Sequence, residues 1–223
     1  MKLKVCGMKH NTAQVAALGP DYLGFILWEG SARYFGASSL PQLPEGIRRV
    51  GVFVDAPPAT LLERTAALEL DAVQLHGEES PEYCNTLKLR LGEKELIKAF
   101  ALGPGFDFAP LEAYLPCCDF FLFDTRGPLP GGNGVAFDWG LLEAYPFEKL
   151  FFLSGGIGLS DTAKLGEFLR HPAGRYCHAV DVNSRFEIRP GEKDPETLRA
   201  FMESPFWTSG PGEDTTTKYK KKL

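Results

Sequence analysis

The sequence predicts an α/β fold, a single closed (β/α)8 barrel of parallel strands, and three observations lead there. Short apolar runs recur along the whole chain and alternate with segments of helical character. Most of these runs are apolar on both faces, as strands covered by helices on either side of a parallel sheet must be. Eight such units fit into 223 residues, a length at which barrels commonly remain undivided. An open doubly wound sheet is the alternative, since a miscount of one unit would be enough to open the barrel.

The first strand, Lys2-Leu3-Lys4-Val5, ends on Cys6-Gly7-Met8. A helix over residues 11–18 follows, with Asn11 or Thr12 as its cap. Residues 22–27 form the second strand, and a loop carrying Ser31-Ala32-Arg33-Tyr34-Phe35 leaves it. The third strand covers 49–54, and Pro57-Pro58 opens a helix over 59–68. The fourth strand, 72–75, closes on His76-Gly77, and Ser80 followed by Pro81 starts a helix over 81–91. The fifth strand covers 96–100, with a short helix at 108–114 behind it. The sixth, 119–123, stops at Asp124-Thr125, before a Gly/Pro-rich loop over 127–134 and a helix at 139–144. The seventh, 150–153, closes on Ser154-Gly155-Gly156-Ile157, ahead of a helix over 160–169. The eighth, 179–182, ends in Asn183-Ser184, and the last helix covers 195–202. The barrel is expected over residues 1–207, with 208–223 as a polar, solvated tail because no apolar periodicity survives there.

Composition narrows the function classes. With 44% hydrophobic and 24% charged residues the chain is an ordinary globular one, and a formal net charge of -5 offers no basic footprint for nucleic acid. No apolar run approaches membrane-spanning length, and the N-terminus begins with a charged strand, not a secretory signal. Cys6, Cys84, Cys117, Cys118 and Cys177 form neither a CxxC pair nor a zinc-ligand spacing, which points to free thiols in a reducing cytoplasm.

In a parallel barrel all strands open at their carboxyl ends onto one face, so residues at strand ends become neighbours. Here these are Cys6, Arg33, Asp55, His76, Asp124, Gly155-Gly156, and Asp181 with Asn183-Ser184. The Gly155-Gly156 pair lies between a strand and a helix, where backbone amides can approach a phosphate, and Ser184 adds a hydroxyl beside it. A tight turn is the plainer use of the same glycines. Cys6 is either a buried small hydrophobe or, given a nearby cation, a base. Asp124 follows Phe120-Phe121-Leu122-Phe123, so desolvation can keep it protonated as an acid; a cap or a salt bridge is the alternative. Arg33 offers a planar fork for a carboxylate or a surface ion pair. No triad spacing and no metal set emerges.

The ordered motifs resemble those of phosphoribosylanthranilate isomerase. They run from Lys4-Val5-Cys6-Gly7 through Ser31-Ala32-Arg33-Tyr34, Val50-Gly51-Val52-Phe53, Val73-Gln74-Leu75-His76-Gly77 and Phe123-Asp124-Thr125. Gly131-Gly132-Asn133-Gly134, Ser154-Gly155-Gly156-Ile157, Asp181-Val182-Asn183-Ser184 and Pro190-Gly191-Glu192-Lys193-Asp194 complete the set, which spans residues 2–206. The resemblance implies a cofactor-free TIM barrel, monomeric or homodimeric, that takes a small phosphorylated substrate. It implies an Amadori rearrangement with Asp124 as general acid and Cys6 as general base. It also implies that Arg33 binds the anthranilate carboxylate, and that Gly155, Gly156 and Ser184 hold the phosphate of the ribose. Gly7, Gln74, His76, Asp181 and Asn183 would line the pocket, and Gly132 would belong to a closing loop. Ala32, Asn133, Val135 and Arg185 depart from the family's usual proline, threonine, lysine and glycine. Other phosphosugar barrels would need a metal set or strand-end lysines, and neither is present. A barrel that binds phosphate without catalysis is the non-enzymatic alternative.

Overall fold

The computed structural model describes residues 1–125 and 138–208. The loop containing Gly132, and nearly all of the expected tail, therefore lie outside the described residues.

Eight strands pair in chain order, all in parallel: β1 (Lys2–Val5), β2 (Tyr22–Ile26), β3 (Arg48–Phe53), β4 (Ala72–Leu75), β5 (Glu95–Leu102), β6 (Phe120–Thr125), β7 (Phe151–Leu153) and β8 (Cys177–Val182). β8 returns to β1, with Asp181 opposite Lys4 and Val182 opposite Val5, and the barrel is closed. Closure removes every unpaired edge, so all the strands spend their backbone groups on one another. Each strand lies where the sequence puts it, with ends displaced by no more than two residues.

The outer layer holds α1 (Thr12–Ala16), α2 (Pro58–Ala67), α3 (Pro81–Leu91), α4 (Thr162–Arg170), α5 (Pro195–Met202) and α6 (Pro205–Thr208). Ser80 caps α3 as expected, its hydroxyl accepting from the Tyr83 amide at 3.2 Å. Asp194 caps α5 in the same way, accepting from the amides of Glu196 and Thr197. Asn11 departs from expectation. It sits at the start of α1, but its side chain pairs with the Lys193 backbone in both directions, at 2.8 and 3.0 Å, and so ties the two ends of the chain together. The segments Ala109–Tyr114 and Trp139–Ala144 are 3₁₀ turns rather than α-helices. Short 3₁₀ segments of this kind are common as connectors between barrel strands. A second departure is a hairpin after β8, β9 (Glu187–Arg189) with β10 (Glu192–Lys193), turned at Pro190-Gly191.

Strand alternation sorts the side chains into two cores. Tyr22, Val50, Ala72, Ile97, Leu122 and Phe152 point inward and fill the barrel. Leu23, Phe25, Phe53, Leu75, Phe121 and Phe123 point outward beneath the helices. Each of the larger aliphatic and phenylalanine side chains contributes about 1.5–3 kcal/mol on burial. Toward the carboxyl ends the inward filling changes character, because Lys4, Gln74, Asp124 and Asp181 are all buried there. Among the described residues, no helix is long and apolar enough to cross a membrane.

At the opposite end, the Tyr22 hydroxyl lies 2.9 Å from His178 Nε2, and the imidazole stacks on Phe120 with centroids 4.4 Å apart. Burial, reinforced by Lys2 and Arg48, pushes the His178 imidazolium down from 6.5 to about 4. The unfolded chain therefore takes up this proton first. Stability is complete above pH 6.5 and falls as the pH drops toward 4. Discounted for partial exposure, the loss is about 1–2 kcal/mol. Urea unfolding from about pH 7 down to about pH 4.5 should show the wild type losing that much more than His178→Gln; parallel curves would contradict the assignment.

Candidate active site

The mouth of the barrel is organised by a lysine. Lys4 points inward from β1, and the register places it beside Asp181 on β8, with Nζ 3.0 Å from Oδ2. Its stem crosses the lumen so that Nζ also donates to Gln74 Oε1 on β4, at 2.7 Å. Burial alone would lower the Lys4 pKa, but Asp181 and Cys6 outweigh it and hold the ammonium above its usual value.

Cys6 follows Lys4 by two residues and shares its inward face. The thiol is buried and lies within electrostatic reach of Lys4. Room for it comes from β2, where a Cβ on Gly24 would come within 2.9 Å of the sulfur. Burial pushes the thiol above its ordinary value, and Lys4 and Lys193 pull against it. Lys193, on β10, is itself fully buried. Its ammonium donates to Asn183 Oδ1 at 2.7 Å and Glu187 Oε1 at 2.8 Å.

Asp124 ends β6 on the facing wall. Its Oδ1 accepts from the Thr125 amide at 2.8 Å, and Oδ2 lies 3.3 Å from His76 Nε2. His76 Nδ1 is in turn 2.9 Å from Gln74 Nε2. A continuous polar chain thus runs from Lys4 through Gln74 and His76 to Asp124.

Arg33 approaches from the loop after β2. Glu187 on β9 grips it through Nε and Nη2, at 2.7–3.0 Å. That grip uses two of the five guanidinium N–H groups, and the opposite edge of the fork is what an incoming carboxylate would meet. Gly7, at φ 75°, permits the approach: a Cβ there would lie 2.8 Å from Arg33 Cδ and 2.6 Å from Asn183 Oδ1.

Cys6, Arg33, Gln74, His76, Asp124, Gly155, Gly156, Asp181, Asn183 and Ser184 line one cleft. Gly155 and Gly156 have φ of 95° and 63°, a left-handed pair that favours glycine. Ile26, Trp28, Val52 and Val54 form the apolar part of the same cleft. Asp55 does not line it. Its carboxylate accepts from the Glu78 amide at 2.7 Å and holds the turn after β4. Among the described residues, Cys84, Cys117 and Cys118 bring three thiols within 4.8 Å of one another, and none of them lines the cleft.

Residues 3–204 match the family profile described as N-(5'-phosphoribosyl)anthranilate (PRA) isomerase. The chain belongs to the N-(5'-phosphoribosyl)anthranilate isomerase family. It is 42% identical over 212 residues to the isomerase of that name from Parabacteroides distasonis, covering 91% of this chain and 92% of that one. The crystal structure of the phosphoribosylanthranilate isomerase from Thermus thermophilus superposes with a TM-score of 0.74 at 30% identity, over 90% of this chain and 96% of that one. A phosphoribosylanthranilate isomerase in complex with reduced 1-(o-carboxyphenylamino)-1-deoxyribulose 5-phosphate gives 0.70 at 28% identity, over 91% of this chain and 96% of that one.

In this barrel, sequence reasoning missed Lys4, Trp28, Glu187 and Lys193 as parts of the site. The signal for Lys4 was its two-residue spacing from Cys6, which puts both on one face of the strand. Titrating Cys6 with a small alkylating reagent, followed by peptide mass spectrometry, should give a midpoint above the usual 9.0. In Lys4→Met the midpoint should move higher still, because the nearest cation is gone. A midpoint unmoved by Lys4→Met would remove the ammonium as the thiol's electrostatic partner.

Proposed function

We propose that the cleft carries out the Amadori rearrangement of N-(5-phosphoribosyl)anthranilate to 1-(2-carboxyphenylamino)-1-deoxyribulose 5-phosphate, a step of tryptophan biosynthesis in the cytoplasm. The observation that carries this reading is the pairing of Cys6 and Asp124 across one cleft, each in a different electrostatic setting. Cys6 lies within electrostatic reach of two buried ammonium groups, and Asp124 lies beside an imidazole.

Asp124 gives its proton to the furanose ring oxygen. The C1′–O bond breaks, and the anilino nitrogen lone pair forms the C1′=N Schiff base. Cys6 removes the C2′ proton through its thiolate form, which Lys4 and Lys193 favour against burial. The C–H electrons form the C1′=C2′ bond, and the iminium π pair returns to nitrogen, giving an enolamine. The enolamine tautomerises to the ketone: C1′ gains a proton and the C2′ hydroxyl loses one, which restores both side chains. Each proton transfer is worth about 10²–10⁴-fold in rate.

The outer edge of the Arg33 fork takes the anthranilate carboxylate, and the Trp28–Val52 part of the cleft takes its ring. Gly155, Gly156 and Ser184 take the phosphate. Asp181 Oδ1, which is buried without a hydrogen-bond partner, has a lone pair ready for a sugar hydroxyl. Glu187 holds Arg33 in place through a charge-assisted, bidentate contact.

The test follows the loss of anthranilate-type fluorescence when protein is added to freshly generated substrate. Wild type should consume it rapidly. Cys6→Ala and Asp124→Asn should each lose at least about 10²-fold in kcat while remaining folded. Near-full activity in either variant would remove that residue from the mechanism. A folded wild type that binds substrate but leaves its fluorescence unchanged would make the barrel a binding protein. Arg33→Ala and Glu187→Gln should act mainly on KM, raising it about tenfold or more; unchanged KM and kcat would refute the carboxylate assignment.

A further inference from the structure

The chain from Lys4 to Asp124 has a direction that hydrogen-bond chemistry fixes. An ammonium only donates, so the Gln74 atom facing Lys4 at 2.7 Å is the oxygen, Oε1. The other end of the amide is then Nε2, which also only donates, and it faces His76 Nδ1 at 2.9 Å. Nδ1 must therefore present its lone pair. A neutral imidazole with its lone pair on Nδ1 carries its proton on Nε2, and Nε2 is the atom 3.3 Å from Asp124 Oδ2. A lysine on β1 thus determines, two side chains away, which ring nitrogen of His76 is protonated.

We propose that Gln74 is a positioning residue, which fixes His76 as the Nε2–H tautomer so that the proton on Asp124 is delivered to the substrate and not to the imidazole. The proposal rests on Asp124 as the general acid. With Nε2 protonated and the Nδ1 lone pair occupied by Gln74, His76 has nothing with which to accept a proton from Asp124. Once the proton has left, the new carboxylate already has two donors in place, His76 Nε2–H and the Thr125 amide. The opposite tautomer would aim a lone pair at Asp124 and compete with the ring oxygen. Gln74 lines the cleft, as expected, but it is only 1% exposed, and its amide is spent on Lys4 and His76, through which it acts.

Three charged or titratable groups bear on this geometry. Lys4 orients the amide, Asp124 accepts the hydrogen bond from the imidazole Nε2–H, and Asp181 shares Lys4 and lies within electrostatic reach of His76. Thr125 fixes the second oxygen of Asp124 through its backbone amide and does not titrate.

The experiment reads ring-nitrogen NMR shifts of His76 in the folded, full-length protein near neutral pH, alongside steady-state kinetics. Wild type should show a protonated Nε2 and an unprotonated, hydrogen-bonded Nδ1. Gln74→Glu presents only acceptors at both ends, so His76 should acquire a proton on Nδ1. Its kcat should fall by about 10–100-fold with KM within about twofold, the scale usual for a group that orients a catalytic one. If Gln74→Glu does not fold, Gln74→Met serves instead: it should lose the single-tautomer signature and kcat together. A wild-type His76 protonated on Nδ1 would overturn the proposal. So would a variant whose tautomer changes while kcat does not. A wild type with the predicted tautomer but no isomerase turnover would leave the hydrogen-bond chain standing and refute the functional reading beneath it.

Discussion

A single ammonium group inside the barrel, that of Lys4, holds the mouth of this molecule together. From β1 it reaches β8 through Asp181 and β4 through Gln74, so three walls of the lumen meet at one nitrogen. Burying a charge in this way costs several kcal/mol unless excellent partners offset it, and removing one partner would strand the others. The arrangement is therefore better explained by what it orients than by what it stabilises. The apolar layers below, from Tyr22 to Phe152, carry the stability of the barrel.

From that nitrogen the site divides into a basic and an acidic arm. On one side, Lys4 and Lys193 set positive charge around Cys6 and oppose the effect of its burial. On the other, Gln74 and His76 pass the orientation on to Asp124. In the proposed rearrangement the two arms answer the same physical problem from opposite ends, since one group surrenders a proton and the other takes one within a single cleft. The C-terminal hairpin adds a third contribution. Glu187 grips Arg33, Lys193 grips Glu187 and Asn183, and Asn11 fastens the hairpin to the first helix. The Arg33 guanidinium is thus positioned by a segment more than 150 residues further along the chain.

Much of this was legible in the sequence because barrel strands end where function begins. Cys6, His76, Asp124 and the Gly155-Gly156 pair all close an apolar run, and a parallel barrel turns such positions into neighbours. Lys4 was harder to see. A lysine within a strand ordinarily marks a solvated face, and only closure of β8 onto β1 reveals that its face is the lumen. Glu187 and Lys193 lie in short runs flanking Pro190-Gly191. The turn signal was present, but two strands of three and two residues carry almost no pattern of their own. The 109–114 and 139–144 segments were read as helices, and their apolar spacing fits either helix type. Asn11 looked like a cap, yet a long-range partner outcompeted the local amides.

The claim on which the account depends is that Lys4 is a permanent cation within the barrel. Side-chain NMR of the Lys4 ammonium across an alkaline titration tests it directly. The account predicts that Lys4 keeps its charge through pH 10.5 and loses it only above that value. A lysine that gives up its proton below 10.5, as one buried without adequate partners does, would contradict it.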